Sequence, residues 1–268
     1  MDAGAYLDRL GVERPAEPTL DALARLQVAH LLAVPFENLD IVAGRRISLD
    51  PQALFDKIVT RRRGGFCYEL NGLFALLLGR LGYAVTLLSA RTVGVQGALG
   101  PEFDHLVLRV DLDGDPWLAD VGFGDSFRTP IPLAPGEHRD SLDRAYRLEE
   151  RDGEWDLLEH LDPAADSWTV APGLDESVEW RIQHRFTLRP HMLEDFADAC
   201  RWQETESPFF TGHRFCTIAT PDGRATLMDD RLFVTSPGAR EERPVAEDEV
   251  PALLRELFGV EPEPATRP

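Results

Sequence analysis

Basic residues are scarce in this chain, cysteines scarcer still, and long apolar runs are missing. Lys and Arg number 28 against 47 Asp and Glu, a formal charge of −19. Phosphate contacts need clustered cations that the chain mostly lacks, which argues against nucleic acid as a partner. The surplus acid, as in Glu149-Glu150 and Glu241-Glu242, reads as solvated surface. Three widely spaced cysteines, Cys67, Cys200 and Cys216, suggest neither a disulfide framework nor a zinc cluster, and no metal is expected. No apolar stretch approaches the roughly 18 residues that span a bilayer, and Met1 opens no basic-then-apolar leader, so a cytoplasmic chain without membrane contact is expected.

What is present suits two or three lobes, at 268 residues with 43% hydrophobic content. From Met1 to Gly82 the periodicity is helical. Thr19 can cap a helix with Leu20, Leu23 and Leu26 inside, and Asp50-Pro51 opens another with Leu54, Phe55 and Ile58 inside. Between them Pro35 sends the chain into an extended loop, and His30 reads as a satisfied core or boundary histidine. From Ala84 the pattern changes to short runs: Ala84 to Val95, Asp104 to Val110, Trp117 to Val121, Ala145 to Leu148, Trp155 to Leu158 and Val178 to Phe186. These predict an antiparallel barrel or sandwich, crossed by an irregular Pro-rich segment from Thr129 to Arg139. After His191 come a helical face (Leu193, Phe196, Ala197, Cys200), strands at Phe215 to Ala219 and Ala225 to Val234, and a terminal helix with Leu253, Leu254 and Leu257. Cys200 and Cys216 are expected to be packed rather than reactive. The chain is therefore predicted to be α+β, with a helical bundle over 1–83, an antiparallel β-barrel over 84–188 and an α/β lid over 189–268.

The centre of this organisation is Arg62-Arg63-Gly64-Gly65-Phe66-Cys67-Tyr68-Glu69-Leu70-Asn71. Leu70, Leu73, Phe74, Leu77, Leu78 and Leu81 follow at helical spacing and Gly82 closes the run. Cys67 falls on the same stripe, at the helix end where unpaired N–H groups and the dipole favour a thiolate. A lone cysteine on an apolar stripe is most often an inert core residue. Its candidate partners lie in the hairpin around Asp113-Gly114, a favoured two-residue turn. If those are the loop residues, Val107 faces Asp120, and His105, diagonal to it at roughly 7–8 Å, projects from the same face. A slip of one residue would separate them. Cys67, His105 and Asp120 then form a Cys–His–Asp arrangement of the kind found in cysteine proteases, with His105 taking the thiol proton and Asp120 orienting the ring. That chemistry serves acyl transfer, peptide hydrolysis or transamidation alike. The following Gly122-Phe123-Gly124 loop suits close approach of a thioester, carbonyl or phosphate.

These motifs closely resemble the arylamine N-acetyltransferase family. Arg63-Gly64-Gly65-Phe66-Cys67-Tyr68-Glu69-Leu70-Asn71 resembles its active-site signature, and the stretch from Ala29 to Leu39, the His105 strand and Asp120-Val121-Gly122-Phe123-Gly124 match its other landmarks in order and spacing. The resemblance spans nearly the whole chain and thins in the last third, where Ser207-Pro208-Phe209-Phe210 follows the pattern only loosely. It implies a ping-pong reaction in which Cys67 takes acetyl from acetyl-coenzyme A, releases coenzyme A, and passes the acetyl group from a thioester to an arylamine, arylhydrazine or N-hydroxyarylamine. It also implies that Phe36, Phe66 and Phe123 line the acceptor pocket and that Gly122 and Gly124 border the thioester and the coenzyme. Arg63, Glu37, Glu69 and Asn71 read as structural, and the Cys67 backbone N–H as an oxyanion donor.

Other readings remain at this level. Members of the same fold close ansamycin-type macrolactams from a carrier-bound acyl chain. A cysteine protease or transglutaminase would share the triad order, though the residues around Cys67 are not theirs. A binding module that lost its chemistry would not need all three residues.

Overall fold

The computed structural model describes residues 1–94, 97–161 and 179–262. The expected strand ends Val95 and Val178 and the tail beyond 262 lie outside them. The helical part comprises α1 (Ala3–Leu10), α2 (Leu20–Ala33), α3 (Leu39–Val42), α4 (Pro51–Phe55) with a π-helical turn over Asp56–Thr60, and α5 (Cys67–Arg80). Local chemistry starts and stops these helices as anticipated. The Thr19 side chain accepts from Ala22 N–H and Asp50 from Gln52 and Ala53 N–H. Beyond α5, Tyr83 N–H bonds Leu78 C=O while Gly82 takes φ +95°, a Schellman ending.

Where periodicity predicts one inward stripe, α5 is buried on nearly every side from Cys67 to Leu78. The other helices cover one flank and strands β2 (Ala84–Thr92) and β3 (His105–Leu112) the other. A helix sandwiched between layers needs small or apolar residues all round, and Gly72, Ala75 and the leucines supply them.

The remaining barrel strands are β4 (Asp115–Ala119), β5 (Ile131–Pro132), β6 (Gly136–Arg139), β7 (Ala145–Arg151), β8 (Glu154–His160) and β9 (Trp180–His191). They form one antiparallel sheet in the order β5-β4-β3-β2-β9-β8-β7-β6. Its edge strands β5 and β6 are joined by residues 133–135 alone. Such a link reaches roughly 14 Å at full extension, whereas a flat eight-stranded sheet would place its edges roughly 34 Å apart. The sheet must therefore curl back on itself around a core that includes Leu88, Ala90, Val107, Phe127, Tyr146 and Phe186. The segment expected to be irregular, Thr129 to Arg139, thus supplies both barrel edges. Its prolines are tolerated because an edge position need not donate on both sides.

A second sheet, ordered β1-β10-β11-β12-β13, joins β1 (Phe36–Glu37) to β10 (Phe215–Ala219), β11 (Arg224–Met228), β12 (Arg231–Ser236) and β13 (Ala239–Pro244). The run Ala225 to Val234, expected as one strand, folds into a hairpin because Asp229 adopts φ +51° and Met228 pairs with Arg231. Helices α6 (Ala197–Thr205), α7 (Pro208–Gly212) and α8 (Val250–Phe258) complete an α+β fold of helical bundle, antiparallel barrel and C-terminal α/β lid. No helix among the described residues is long and apolar enough to cross a membrane.

Candidate active site

Cys67 is the first residue of α5, placed there by a loop in which neither glycine is replaceable. A Cβ on Gly64 would stand 2.1 Å from Pro35 O, and one on Gly65 2.7 Å from Glu69 Oε2. This close approach lets Glu37 N–H bond Gly65 C=O at 2.9 Å, stitching the loop to β1. Beneath it lies a buried ion network. Arg63 reaches Glu37 Oε1 at 2.8 Å and Asp40 Oδ1 at 3.2 Å, and Lys57 Nζ lies 2.7 Å from both Asp40 Oδ2 and Glu69 Oε1. The other Glu69 oxygen accepts the Phe66 N–H at 3.1 Å, immediately before the cysteine. Burial raises the Asp40 carboxyl, but Lys57, then Arg63, more than offset it and hold it at about 2.

The β3–β4 hairpin turns through Asp113-Gly114 with Leu112 opposite Asp115. Both loop residues have positive φ, +52° and +94°, which Asp and Gly tolerate. This register puts His105 and Asp120 on one face, and His105 Nε2 meets Asp120 Oδ2 at 2.8 Å with both residues buried. Asp120 Oδ1 accepts from Gly122 N–H at 2.7 Å and from Asn71 Nδ2 at 2.8 Å. Burial pushes the Asp120 carboxyl up, yet the His105 ring and the His105 and Asn71 hydrogen bonds bring it below its ordinary value.

Asn71, one turn beyond Cys67, ties the nucleophile helix to that pair. Its Nδ2 also donates to Leu106 O at 2.6 Å, and its Oδ1 accepts Val121 N–H at 2.9 Å. The structural role expected of Asn71 is therefore a specific one: a single side chain fixes α5 against β3 and against the Asp120 loop. Its i+4 spacing from Cys67 is the sequence signal for it.

Gly122 packs against both Asn71 and the cysteine backbone. A Cβ there would stand 2.9 Å from both Cys67 Cα and Cys67 O. Gly122→Ala is expected to lower turnover about 100-fold by separating Cys67 from the His105–Asp120 pair, while circular dichroism still shows a folded chain. Undiminished activity would contradict this packing.

The Cys67 thiol is placed at a helix N-terminus as anticipated, in surroundings that work against the thiolate form. Burial pushes it well above its ordinary value, and Asp104, Cys200 and Asp120 add to the effect, with the Tyr68 backbone N–H opposing it. No hydrogen bond joins the Cys67 thiol to His105 in this structure, and such contacts commonly tighten only when substrate binds. Cys200 and Cys216 are likewise buried, and burial raises both thiols.

Of the three aromatic residues singled out in the sequence, only Phe123 touches the histidine, edge-on at 5.3 Å between ring centroids. Phe36 stacks on Phe215 at 5.4 Å, and Phe66 meets Phe210 edge-on at 5.5 Å. Phe210 of α7 thus joins the aromatic group from the C-terminal part. Gly124 adopts φ +93°, a conformation that glycine adopts without cost. Among the described residues no group of His, Cys, Asp or Glu is arranged to hold a metal ion.

Two histidines, His30 and one that the sequence does not mark out, share an unusual state. His30 and His184 are fully buried, and none of their ring nitrogens has a hydrogen-bond partner among the described residues. The satisfied core histidine expected at position 30 is thus in the core but unsatisfied, wedged edge-on between Tyr6 and Phe74. Burial lowers each imidazole from 6.5 to about 3, with Arg9 adding to the effect at His30 and His105 at His184. Because the folded values lie below the unfolded one, the unfolded chain binds more protons between them. The stability these residues confer is complete above pH 6.5 and is lost as the pH falls toward 3. Urea titrations should show stability falling below pH 6.5 by up to about 2.7 kcal/mol per pH unit for the two together. His30→Phe should roughly halve that slope. A flat profile down to pH 4.5 would contradict it.

A cysteine opening a helix that Asn71 ties to a buried histidine–carboxylate pair is the equipment of an acyl-transferring thiol enzyme. A profile of the N-acetyltransferase family matches residues 19–266. The chain is 34% identical to the arylamine N-acetyltransferase of Mycobacterium tuberculosis, over 97% of its own length and 89% of that protein. It is 30% identical to human arylamine N-acetyltransferase 1, over 97% and 94%. The solved M. tuberculosis enzyme superposes with a TM-score of 0.85, covering 97% of this chain and 94% of that one at 33% identity. A Mycobacterium marinum arylamine N-acetyltransferase in complex with CoA superposes equally well, at 0.85 over 97% and 93% with 30% identity. The chain belongs to the arylamine N-acetyltransferase family and is a transferase.

Proposed function

We propose that this protein transfers acetyl from acetyl-coenzyme A to aromatic amines, hydrazines or N-hydroxyarylamines through a thioester on Cys67. The observation that carries this reading is the buried His105–Asp120 bond, held against the Cys67 helix by Asn71. Asp120 occupies Nε2 of the ring, so Nδ1 is the nitrogen left to accept the thiol proton. A thiol pushed up by burial stays protonated until the imidazole takes that proton, and Asp120 stabilises the imidazolium that results.

The thiolate then attacks the acetyl carbonyl. The coenzyme leaves as a thiol, carrying away the proton held on His105. In the second half-reaction the amine nitrogen attacks the thioester carbonyl and gives up a proton to His105, which returns it to the departing Cys67 sulfur. The first backbone N–H groups of α5 lack intrahelical acceptors and would receive the carbonyl oxygen as it gains charge, that of Cys67 first. Gly122, packed on the Cys67 backbone, and Gly124 would border the thioester and the coenzyme. Phe36, Phe66 and Phe123 would line the pocket of the aromatic acceptor, Phe123 nearest His105. In this reading the sections 1–83, 84–188 and 189–268 supply respectively the nucleophile, its base and carboxylate, and a cover. The site is expected to work in the cytoplasm, on small molecules.

Initial rates over a grid of acetyl-coenzyme A and arylamine concentrations test this. Parallel double-reciprocal lines are expected. Intersecting lines would overturn the two-step route, and no turnover with acetyl-coenzyme A but acylation by a carrier-bound chain would favour a macrolactam-forming amide synthase.

A further inference from the structure

The geometry points to His184 as a specificity-determining residue whose ring hydrogen-bonds a neutral oxygen on the aromatic acceptor: a phenolic hydroxyl, an aryl ether or a hydrazide carbonyl. This rests on the arylamine acetyl-transfer reading above.

Strand pairing places His184 at the site. His105 on β3 faces Ala90 on β2, which faces Phe186 on β9. His184 lies two residues from Phe186 in unbroken register, with Thr92 its partner on β2, so its side chain shares the inner barrel face with His105. The small Ala90 side chain leaves room between the strands. The His184 ring centroid lies 5.4 Å from that of His105 and 5.6 Å from that of Phe123. Phe123 is only partly buried and stands toward the outside.

Burying an imidazole with both nitrogens unpaired is unfavourable, so the residue type calls for an explanation. His30 shows that such a histidine is not by itself a ligand site, since its neighbours are the core rings Tyr6 and Phe74. His184 differs in that its neighbours are the candidate base and the aromatic wall of the acceptor pocket. Its complete enclosure does not separate it from groups that must meet substrate, because Cys67 and His105 are themselves only 5% and 2% exposed. Phe123 flanks both the His105 and the His184 rings, so an acceptor held against Phe123 beside the base lies beside His184 as well. A neutral imidazole offers one N–H donor and one acceptor nitrogen, a match for a hydroxyl, ether or carbonyl oxygen and not for an alkyl substituent.

The test compares 4-aminophenol and 4-methoxyaniline with 4-methylaniline, on the wild-type protein and His184→Phe. Dissociation constants measured by calorimetry decide the inference, and acetylation of Cys67 by acetyl-coenzyme A is followed separately by mass. The substitution should weaken both oxygen-bearing ligands about fivefold relative to 4-methylaniline, and keep or raise stability because it removes two unpaired nitrogens. An unchanged ratio, or equal weakening of all three ligands, would overturn the proposal. Should His184→Phe not fold, the 15N shifts of the His184 ring in the wild-type protein decide instead. They should move with 4-aminophenol and not with 4-methylaniline, and equal movement would overturn it. Absence of Cys67 acetylation with the ligand preference intact would count against the acetyl-transfer reading alone.

Discussion

Asp120→Asn should lower acetyl transfer by about 10³–10⁴-fold while leaving the fold intact. The reason lies in what surrounds the carboxylate. Oδ1 accepts from two donors, Gly122 N–H and Asn71 Nδ2, whereas Oδ2 faces His105 Nε2. An asparagine in this place keeps its oxygen toward the two donors and turns its NH₂ toward the ring. Nε2 must then act as acceptor, which puts the ring proton on Nδ1, the nitrogen needed to receive the thiol proton. The base is thus lost through its tautomer rather than through its position. Single-turnover acetylation of Cys67 gives the rate, and an unchanged near-UV circular dichroism spectrum shows the fold retained. A loss smaller than about tenfold would mean that Asp120 does not govern the ring.

The second large effect concerns stability. Lys57→Met should cost about 3–5 kcal/mol, because it leaves two buried carboxylates without their shared cation. Lys57 sits on the π-helical turn over Asp56–Thr60, and its Nζ is 2.7 Å from both Asp40 and Glu69, whose side chains are almost wholly enclosed. Burial alone would favour the neutral amine, but Glu69, then Glu37 and Asp40, raise the Lys57 pKa above its ordinary value. Once Lys57 is gone, Asp40 keeps Arg63 and Arg45, whereas Glu69 keeps the Phe66 N–H, a neutral donor. Adding Glu69→Gln to Lys57→Met should recover part of the loss, a coupling that two independent sites would not show. Urea denaturation of the four proteins in the cycle reads both quantities. A loss below about 1 kcal/mol for Lys57→Met would show that the network is more hydrated than its geometry indicates.

Much of this molecule can be read before it is seen, wherever the signal is local. The Asp113-Gly114 turn fixes the β3–β4 register, and with it the meeting of His105 and Asp120. Thr19, Asp50 and Gly82 mark helix ends where capping chemistry says they should. Misread elements are those whose form depends on distant partners. Ile131–Pro132 and Gly136–Arg139 become strands only because the barrel supplies edges for them. The break at Asp229 depends on one residue accepting a left-handed backbone, and the flanking apolar run hides it.

At the site, Glu37, Arg63 and Glu69 stand out beside the cysteine, but Lys57 and Asp40, which complete their network, carry no mark that separates them from surface charges. His184 is harder still. A lone histidine within a strand announces nothing until pairing through Ala90 brings it beside His105. The surroundings of the Cys67 thiol also escape the sequence. A helix N-terminus favours thiolate, whereas enclosure, with Asp104 and Asp120 beside it, pushes the thiol up.

The most direct measurement is intact mass with peptide mapping after the protein is mixed with acetyl-coenzyme A and no acceptor, beside a Cys67→Ala control. One acetyl group confined to Cys67, absent from the control and discharged when an aromatic amine or hydrazine is added, is the predicted result. A folded protein whose Cys67 remains unmodified while turnover to an arylamine proceeds would contradict the thioester route.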